Sequence, residues 1–591
     1  MQAGRLATAR LVRTLAAPLV LALPPLFWVA EATRRAALTP LGRDQGIFQY
    51  IAWAIGQGDR DYRDIRDVNG PLTHLIHRLM LAMGGADEHR FRVIDLVVTG
   101  ASFAIVGACL PGLRDRRAPS NGPGTEWVER LAWAFAAWVV LSGQYLLYGY
   151  WDLAQRESFF DWFMLPSVAL QLVAQARWRR GDSAEAGKAR TRLFALVGAL
   201  SVLPWLGKPT YAVFTLVQLL TLWADAGMPL GRGKALRAFA IGGAIAAVGP
   251  LVWVLLHGDL LAYLHVQAVD VPAMYRFIWP RAAADTFSRP WDASQAIYAI
   301  VGAVVILSLV LMGEMPVRAV APALVPVAAL AGVIAQSKGF PYHFHPVTAG
   351  VHLQWLVFAA WITERSRVAR RDLALVRLAP IAVGVVFALQ VATSMEDSPL
   401  IRSVWMLWGA NTPQDRTTRE FYEHFPEPDF FPFEMHQTAD YLRAHTAPSD
   451  RVQTYGMDPY VLFLAGRLSA TPYIYAYDLD VDTALGGGTG GVPDDAQRAR
   501  IRAIRDQHED DLLARLDARP PAAFVFFDGS PLIAMSDARE DFRRHCPRAF
   551  EWFDDRYREV IRFGHDHVWL RKDMAPPEEP ETDEGPSPEA P

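Results

Sequence analysis

Residues 238–257 read AFAIGGAIAAVGPLVWVLLH, an uncharged run long enough, as a helix, to cross a hydrocarbon core of roughly 30 Å. Similar runs, most of about 17–20 residues and some shorter, recur on both sides of it. They lie near 14–30, 91–110, 127–147, 158–176, 193–206, 210–226, 295–312, 319–336, 346–362 and 378–395. With 238–257 they predict a polytopic α-helical membrane protein of about eleven transmembrane helices. A 591-residue chain with 52% hydrophobic content is also too apolar and too long for one ordinary soluble domain. The apolar runs stop near Ser394, and beyond it the composition is that of a soluble domain.

Orientation follows from where Lys and Arg gather. With the N-terminus in the cytoplasm, every inside loop is basic. These loops carry Arg114/Arg116/Arg117, then Arg177 to Arg192, then Arg232/Lys234/Arg237, then Arg318, then Arg365 to Arg377. The opposite face receives residues 31–90, 148–157, the turn Gly207-Lys208-Pro209, 258–294, 337–345 and everything after about 396. The segment Pro71–Met83 is short and carries His74, His77 and Arg78, and counting it as a span would move basic loops outside. It is expected to be a helix lying in the interface. Arg5, Arg10 and Arg13 before the first apolar run, with Ala30-Glu31-Ala32 after it, fit a signal peptide as well as an uncleaved first helix; the uncleaved helix is the reading preferred.

The net charge of −4 and the scatter of basic residues among short loops give no support to nucleic-acid binding. Two cysteines, Cys109 and Cys546, exclude a disulfide framework and any Cys-rich metal site. Residues 1–395 are thus expected to form the membrane domain, with first external loop 31–90, and 396–574 a small α/β extracytoplasmic domain. In the latter, Glu434–Thr446 and Pro459–Ala465 read as helices, Arg451–Tyr455 and Ala522–Phe527 as strands, and Tyr557–Arg562 with His567–Arg571 as a hairpin around Gly564. The run Gly486–Gly491 lacks the strand and the Lys of a phosphate loop and is expected to be a flexible loop. Residues 575–591 form a Pro/Glu-rich tail expected to be disordered.

The first outside loop contains Asp44-Gln45-Gly46-Ile47-Phe48-Gln49-Tyr50-Ile51, then Gly58, then Tyr62-Arg63-Asp64-Ile65-Arg66-Asp67-Val68-Asn69-Gly70-Pro71. Ile47, Tyr50, Ile51 and Ala54 share a helical face. Asp44 reads either as an N-cap, stabilising the first turn by about 1 kcal/mol, or as a functional carboxylate. The loop resembles the first external loop of GT-C glycosyltransferases, in particular bacterial polyprenyl-phosphate-dependent enzymes of the protein O-mannosyltransferase and aminoarabinose transferase kind. The likeness rests on the Asp opening a helix, the Tyr six residues on, a Gly at the helix end, Tyr-x-Asp-x-x-Asp, and a Pro-Leu interfacial helix. It is close over 44–84 and looser over the many-helix plan and the external C-terminal domain. It implies that Asp44 is the catalytic base or the acceptor-positioning carboxylate, and that Tyr50, Asp64 and Asp67 belong to the substrate site. The chain departs from relatives at Gln45, where many carry an acidic residue, and at Gly70, where some carry Lys. Neither metal binding nor lipid-phosphate contact is assigned to those two positions.

Other outside residues fit the same chemistry, which needs a carboxylate to take a proton and cations to stabilise a leaving phosphate. Asp152, Arg156 and Glu157 lie where the chain re-enters the membrane. An Arg-Glu pair there reads as support for a helix end; the resemblance instead makes Glu157 a second catalytic acid facing Asp44. Lys208, isolated between apolar runs, is either a snorkelling interfacial residue or a phosphate contact. Lys338, Tyr342, His343 and His345, in the connection 336–346, are either interfacial anchors or phosphate and sugar contacts. Two His at this spacing, with no acidic neighbour, do not make a metal site. Arg276 and Arg281, beside Tyr275 and Trp279, rank lower.

The resemblance implies an inverting transferase in the bacterial inner membrane. Its donor is a polyprenyl-phosphate sugar and its acceptor an envelope glycan, lipid or protein. No cofactor is assigned with certainty, and a divalent cation stays open. The competing readings are a lipid-linked oligosaccharide polymerase or ligase, and a transporter or scaffold. A transporter would be expected to place ionisable groups near mid-bilayer in paired halves. Here they gather at one face.

Overall fold

The computed structural model describes residues 15–113, 123–178, 184–228, 231–368, 374–402, 415–531 and 537–577. Arg5, Arg10, Arg13, Arg114, Arg116, Arg117, Arg179, Arg180, Arg370 and Arg371, and most of the acidic tail, lie outside them. The chain divides into two compact units. The first comprises Met1–Arg63, Asp67–Phe425 and Ala484–Asp494, and the second Asp64–Arg66, Pro426–Thr483 and Asp495–Pro591.

The first unit is helical. Among the described residues, seven helices are long and apolar enough to cross a membrane: Glu88–Leu113, Arg156–Arg177, Gly187–Leu206, Arg232–His257, Pro290–Leu311, Val317–Gln336 and Leu378–Glu396. The pair Leu15–Ala22 and Leu26–Ala36, bent by 50°, raises the number to eight if it is one span. Pro123–Tyr145, Pro209–Ala224 and His345–Val368 are helical at the remaining expected positions. The first carries Glu126, Glu129 and Arg130, and the second is shorter than a full span.

In a bilayer, close packing of small residues replaces the hydrophobic drive between helices. Gly198 and Gly242 fit this requirement, since a Cβ on either would collide with a carbonyl oxygen of the facing helix, Phe239 O and Ala195 O respectively. Polar side chains join neighbouring helices. Gln171 Nε2 donates to Gln218 O at 2.9 Å, and Gln354 Nε2 to Ala323 O at 2.7 Å. On Pro290–Leu311 the apolar side chains of Ile297, Ile300, Val301 and Val304 are exposed, as a lipid-facing surface demands.

Two helices lie between the bent pair and the first of the seven long helices. Arg43–Gly56 is nearly all buried, and Pro71–Gly84 starts with its Pro in the first turn. Pro71–Gly84 is absent from the membrane-crossing set, and its Leu79 and Met83 are exposed, the pattern of an interfacial helix. The run Gly486–Gly491 was expected to be flexible and is instead a turn, with Gly488 bridged to Gly491. Gly490 N donates to Pro280 O at 2.9 Å. A Cβ on Gly488 or Gly490 would collide with the backbone at Pro280 or Arg281, so glycine is what permits this close approach.

The second unit carries a five-stranded sheet in the order β2-β1-β3-β5-β4. The strands are β1 Arg451–Tyr455, β2 Leu468–Ser469, β3 Ala523–Phe527, β4 Tyr557–Phe563 and β5 Asp566–Arg571. β1 pairs parallel with β2 and β3, and β3–β5–β4 are antiparallel. Fully buried β3 (Ala-Phe-Val-Phe-Phe) lies centrally, as its unbroken apolar run requires. The hairpin turns at Gly564, whose φ of 55° suits glycine. Sequence reading missed the helices Asp495–Ala518, Ala538–His545 and Pro547–Asp554. Their Phe542, Phe550 and Phe553 pack against Phe524 and Phe526 of β3.

Gly70 explains why no lysine stands before Pro71 here. Its N–H donates to Gly207 O at 3.2 Å, and a Cβ would collide with Leu206 O. The turn carrying Lys208 is therefore docked on the start of the interfacial helix. Gly70→Ala is expected to destabilise the protein by about 1–3 kcal/mol, the usual cost of overpacking, and to lower the thermal unfolding midpoint in detergent. An unchanged midpoint would refute this docking.

Candidate functional site

Buried Arg92, 1% exposed, donates to Pro40 O at 2.6 Å, Tyr150 O at 2.9 Å and Leu153 O at 3.2 Å. It thereby holds two connections, one leading to helix Arg43–Gly56 and the other to helix Arg156–Trp178. Tyr145 Oη adds a second tie: it donates to Asp95 Oδ2 at 2.7 Å and accepts from Ala154 N at 2.8 Å. Gln45 joins the same connections. Its Oε1 accepts from Gly42 N at 2.5 Å, and its Nε2 donates to Leu153 O at 2.6 Å.

These contacts settle the reading of Asp44 as a cap. The cap position is Gly42, and the capping side chain is Gln45 in the third helical position. Asp44 lies inside the first turn, partly exposed, and among the described residues no hydrogen bond engages its carboxylate. Desolvation raises its pKa from the usual carboxylate range against the pull of Arg156 and Arg43, with Glu157 and Asp67 adding to the rise.

The start of Arg156–Trp178 supplies the opposing groups. Glu157, 1% exposed, pairs through Oε1 with Lys208 Nζ, and His343 Nε2 lies 3.6 Å from the same oxygen. Arg156 donates to Asn69 Oδ1 and lies over the rings of Phe48 and Tyr342, 5.6 and 5.8 Å from their centroids. Burial pulls Lys208 down to about 8 although Glu157 favours its charge. Burial, with Lys208 nearby, holds His343 well below its ordinary value, so its imidazole is neutral. Buried Arg156 Nε, Glu157 Oε2 and His343 Nδ1 have no hydrogen-bond partner among the described residues. These three atoms come from adjoining side chains and are available to another molecule's polar groups.

The structure therefore brings together Asp44, Glu157, Lys208, Tyr342 and His343, and adds Arg156 and Asn69, which sequence reading left out of the site. Other candidates are engaged elsewhere. Lys338 Nζ donates to Tyr275 O at 2.9 Å and to Ile278 O, and burial lowers its pKa to about 8. His345 Nε2 bonds Asp152 O at 2.8 Å, and its ring packs on Tyr148. Tyr50 is fully buried beside Trp53. Asp64 belongs to the second unit. Arg276 lies over Phe277.

Asp67 has a different partner. Its Oδ2 lies 2.7 Å from His74 Nε2, while Asp61 Oδ2 lies 2.9 Å from His74 Nδ1. With an acceptor on each nitrogen, His74 is an imidazolium between two buried carboxylates. Asp67 Oδ1 also accepts from Asn69 Nδ2 at 2.9 Å, so this network sets the side chain that meets Arg156. The second unit holds a separate group: Asp480, Asp541 and His545 are buried, with ligand atoms within 4.8 Å of one another, and together could coordinate a divalent cation. The spacings Asp480-x-Asp482 and Asp541-x-x-x-His545 are the sequence signal that could have shown it.

No family model matches the chain, and no curated protein matches it. Among solved structures it is similar to the crystal structure of ArnT from Cupriavidus metallidurans in the apo state. The TM-score is 0.50 and the identity 12%, covering 93% of this chain and 98% of that one. The two chains share an overall fold. At this identity the likeness concerns the fold, and chemistry has to be argued from the site.

The His74 network gives a prediction about pH. Burial alone would lower the His74 pKa, but Asp61 and Asp67 outweigh it and raise it from 6.5 to about 10. A raised folded-state value contributes stability that is fully present below about 6.5 and lost as pH rises through about 10. Thermal unfolding should show this alkaline loss in the wild type, and His74→Gln should flatten it. The same slope in both proteins would refute a charged His74.

Proposed function

We propose that this chain is a glycosyltransferase that moves a sugar from a polyprenyl-phosphate carrier to an envelope glycan, lipid or protein. It would act at the outer face of the bacterial inner membrane, with inversion. The topology proposed with it has about eleven spans, a cytoplasmic N-terminus and an extracytoplasmic domain at 396–574. The observation that carries the reading is the convergence of buried, orphaned Arg156, Glu157 and His343 atoms with an unengaged Asp44.

In the proposed reaction, Asp44 accepts the proton of the acceptor hydroxyl or amine as that atom bonds to the anomeric carbon. The bond from carbon to phosphate oxygen breaks, and its electron pair leaves with the phosphate. Arg156, through its free Nε–H, and Lys208 stabilise the charge that develops. Glu157 fixes Lys208 and keeps it cationic. Tyr342 and neutral His343 line the same place and offer hydrogen bonds to the sugar. Lys338 and His345 act as supports for the loop that carries Tyr342 and His343.

Two titrations bound the rate. As pH falls through the raised pKa of Asp44, the base is protonated and activity drops. As pH rises past about 8, Lys208 loses its charge and activity drops again. Asp44→Asn should lower transfer by about 10²–10⁴-fold, the usual contribution of a general base. Lys208→Arg should retain activity and lose the alkaline fall. The check is mass spectrometry of envelope glycans and lipids from a deletion strain complemented with each variant, with pH profiles on purified protein. Full modification by Asp44→Asn would remove Asp44 from the chemistry.

A further inference from the structure

We propose that Asp480, Asp541 and His545 bind a zinc ion that pins the segment around 478–482 to helix Ala538–His545. This site uses none of the residues of the proposed transfer reaction. Asp541 and His545 are four residues apart on one helix and so share a face. Asp480 lies between the short helices Ala476–Asp478 and Asp482–Gly486, and Asp482 opens the second of them.

The geometry around His545 Nε2 is that of a ligand shell. Asp480 Oδ1 is 3.4 Å away, Asp482 Oδ2 3.5 Å and Asp541 Oδ1 3.7 Å. Ligands at zinc bond lengths of about 2.0–2.2 Å in a tetrahedron stand roughly 3.3–3.6 Å apart. The separations from His545 Nε2 are close to that spacing, and the ligand atoms of Asp480, Asp541 and His545 all lie within 4.8 Å of one another.

A second observation is independent of the cluster's composition. His545 Nε2 and Asp480 Oδ2 are buried and make no hydrogen bond, on residues that are 4% and 2% exposed. His545 Nε2 faces the three carboxylates, and a buried atom left without a partner is costly unless a ligand satisfies it. Other contacts hold the ligands in place. Tyr455 Oη donates to Asp541 Oδ2 at 2.8 Å, leaving Oδ1 turned to His545, and Asp482 N donates to Asp480 Oδ1 at 2.9 Å. Supporting hydrogen bonds of this kind orient metal ligands.

Arg544, on a half-exposed side chain, lies 3.0 Å from Asp541 Oδ1 and 2.9 Å from Asp482 Oδ2. Its long stem lets it swing towards solvent when a dication takes those oxygens. One imidazole with two or three carboxylates favours zinc over calcium or magnesium, which prefer all-oxygen shells. A buried shell with Asp482 at its rim is the closed kind that stabilises a fold.

The test uses the untagged full chain in detergent, stripped with chelator and then given zinc or cobalt alone. The wild type is expected to retain about one zinc per chain after gel filtration and to melt at a higher temperature with zinc than without. His545→Ala and Asp480→Asn should lose both effects. Cobalt should give the visible absorption of a tetrahedral site in the wild type, a readout that needs no variant to fold. Substoichiometric zinc and no cobalt band in the wild type would overturn the proposal, as would equal zinc in wild type and both variants.

Discussion

A guanidinium cannot shed its charge in a protein, so burying one obliges the chain to bring carbonyls to it. Arg92 imposes that obligation where Pro40, Tyr150 and Leu153 pass, and their carbonyls meet it. The consequence reaches beyond one side chain. Those carbonyls belong to the approaches to helices Arg43–Gly56 and Arg156–Trp178, so the first turns carrying Asp44, Arg156 and Glu157 are set against each other by the same group. Gln45 reinforces this by capping one helix while bonding the connection that leads to the other.

From this arrangement follows the electrostatics of the face. Two cations, Arg156 and Lys208, stand beside Glu157 in a buried place, and Asp44 stands near with its carboxylate unengaged. Low polarity around such groups strengthens their action on any charge that forms among them. The His74 imidazolium, clasped by Asp61 and Asp67, keeps Asn69 where Arg156 can bond it. Rigid support thus surrounds a few unsatisfied polar atoms.

The parts legible in sequence were those written in local pattern. Apolar runs announce spans because lipid demands unbroken helices, and Arg451–Tyr455 and the Ala522–Phe527 run announce strands by composition. Tertiary pairings were not legible. Glu157 read as the partner of adjacent Arg156, yet its closest cation is Lys208, fifty-one residues on. Lys338 read as a free cation for a head group, whereas the carbonyls of Tyr275 and Ile278 hold it. Asp44 read equally well as a cap, because the neighbour that caps instead, Gln45, shows its role only when the turn is built. Helix Asp495–Ala518, rich in charge and poor in apolar periodicity, left little trace to find.

The central claim is that Arg156 and Lys208 form a site for the phosphate of a polyprenyl carrier. Native mass spectrometry of the full chain with added polyprenyl phosphate tests it most directly. The account predicts that the wild type retains one carrier, and that Arg156→Met and Lys208→Met, folded by gel filtration, retain it at least about tenfold more weakly, a loss of 1.4 kcal/mol or more. Retention by both variants equal to the wild type would contradict it.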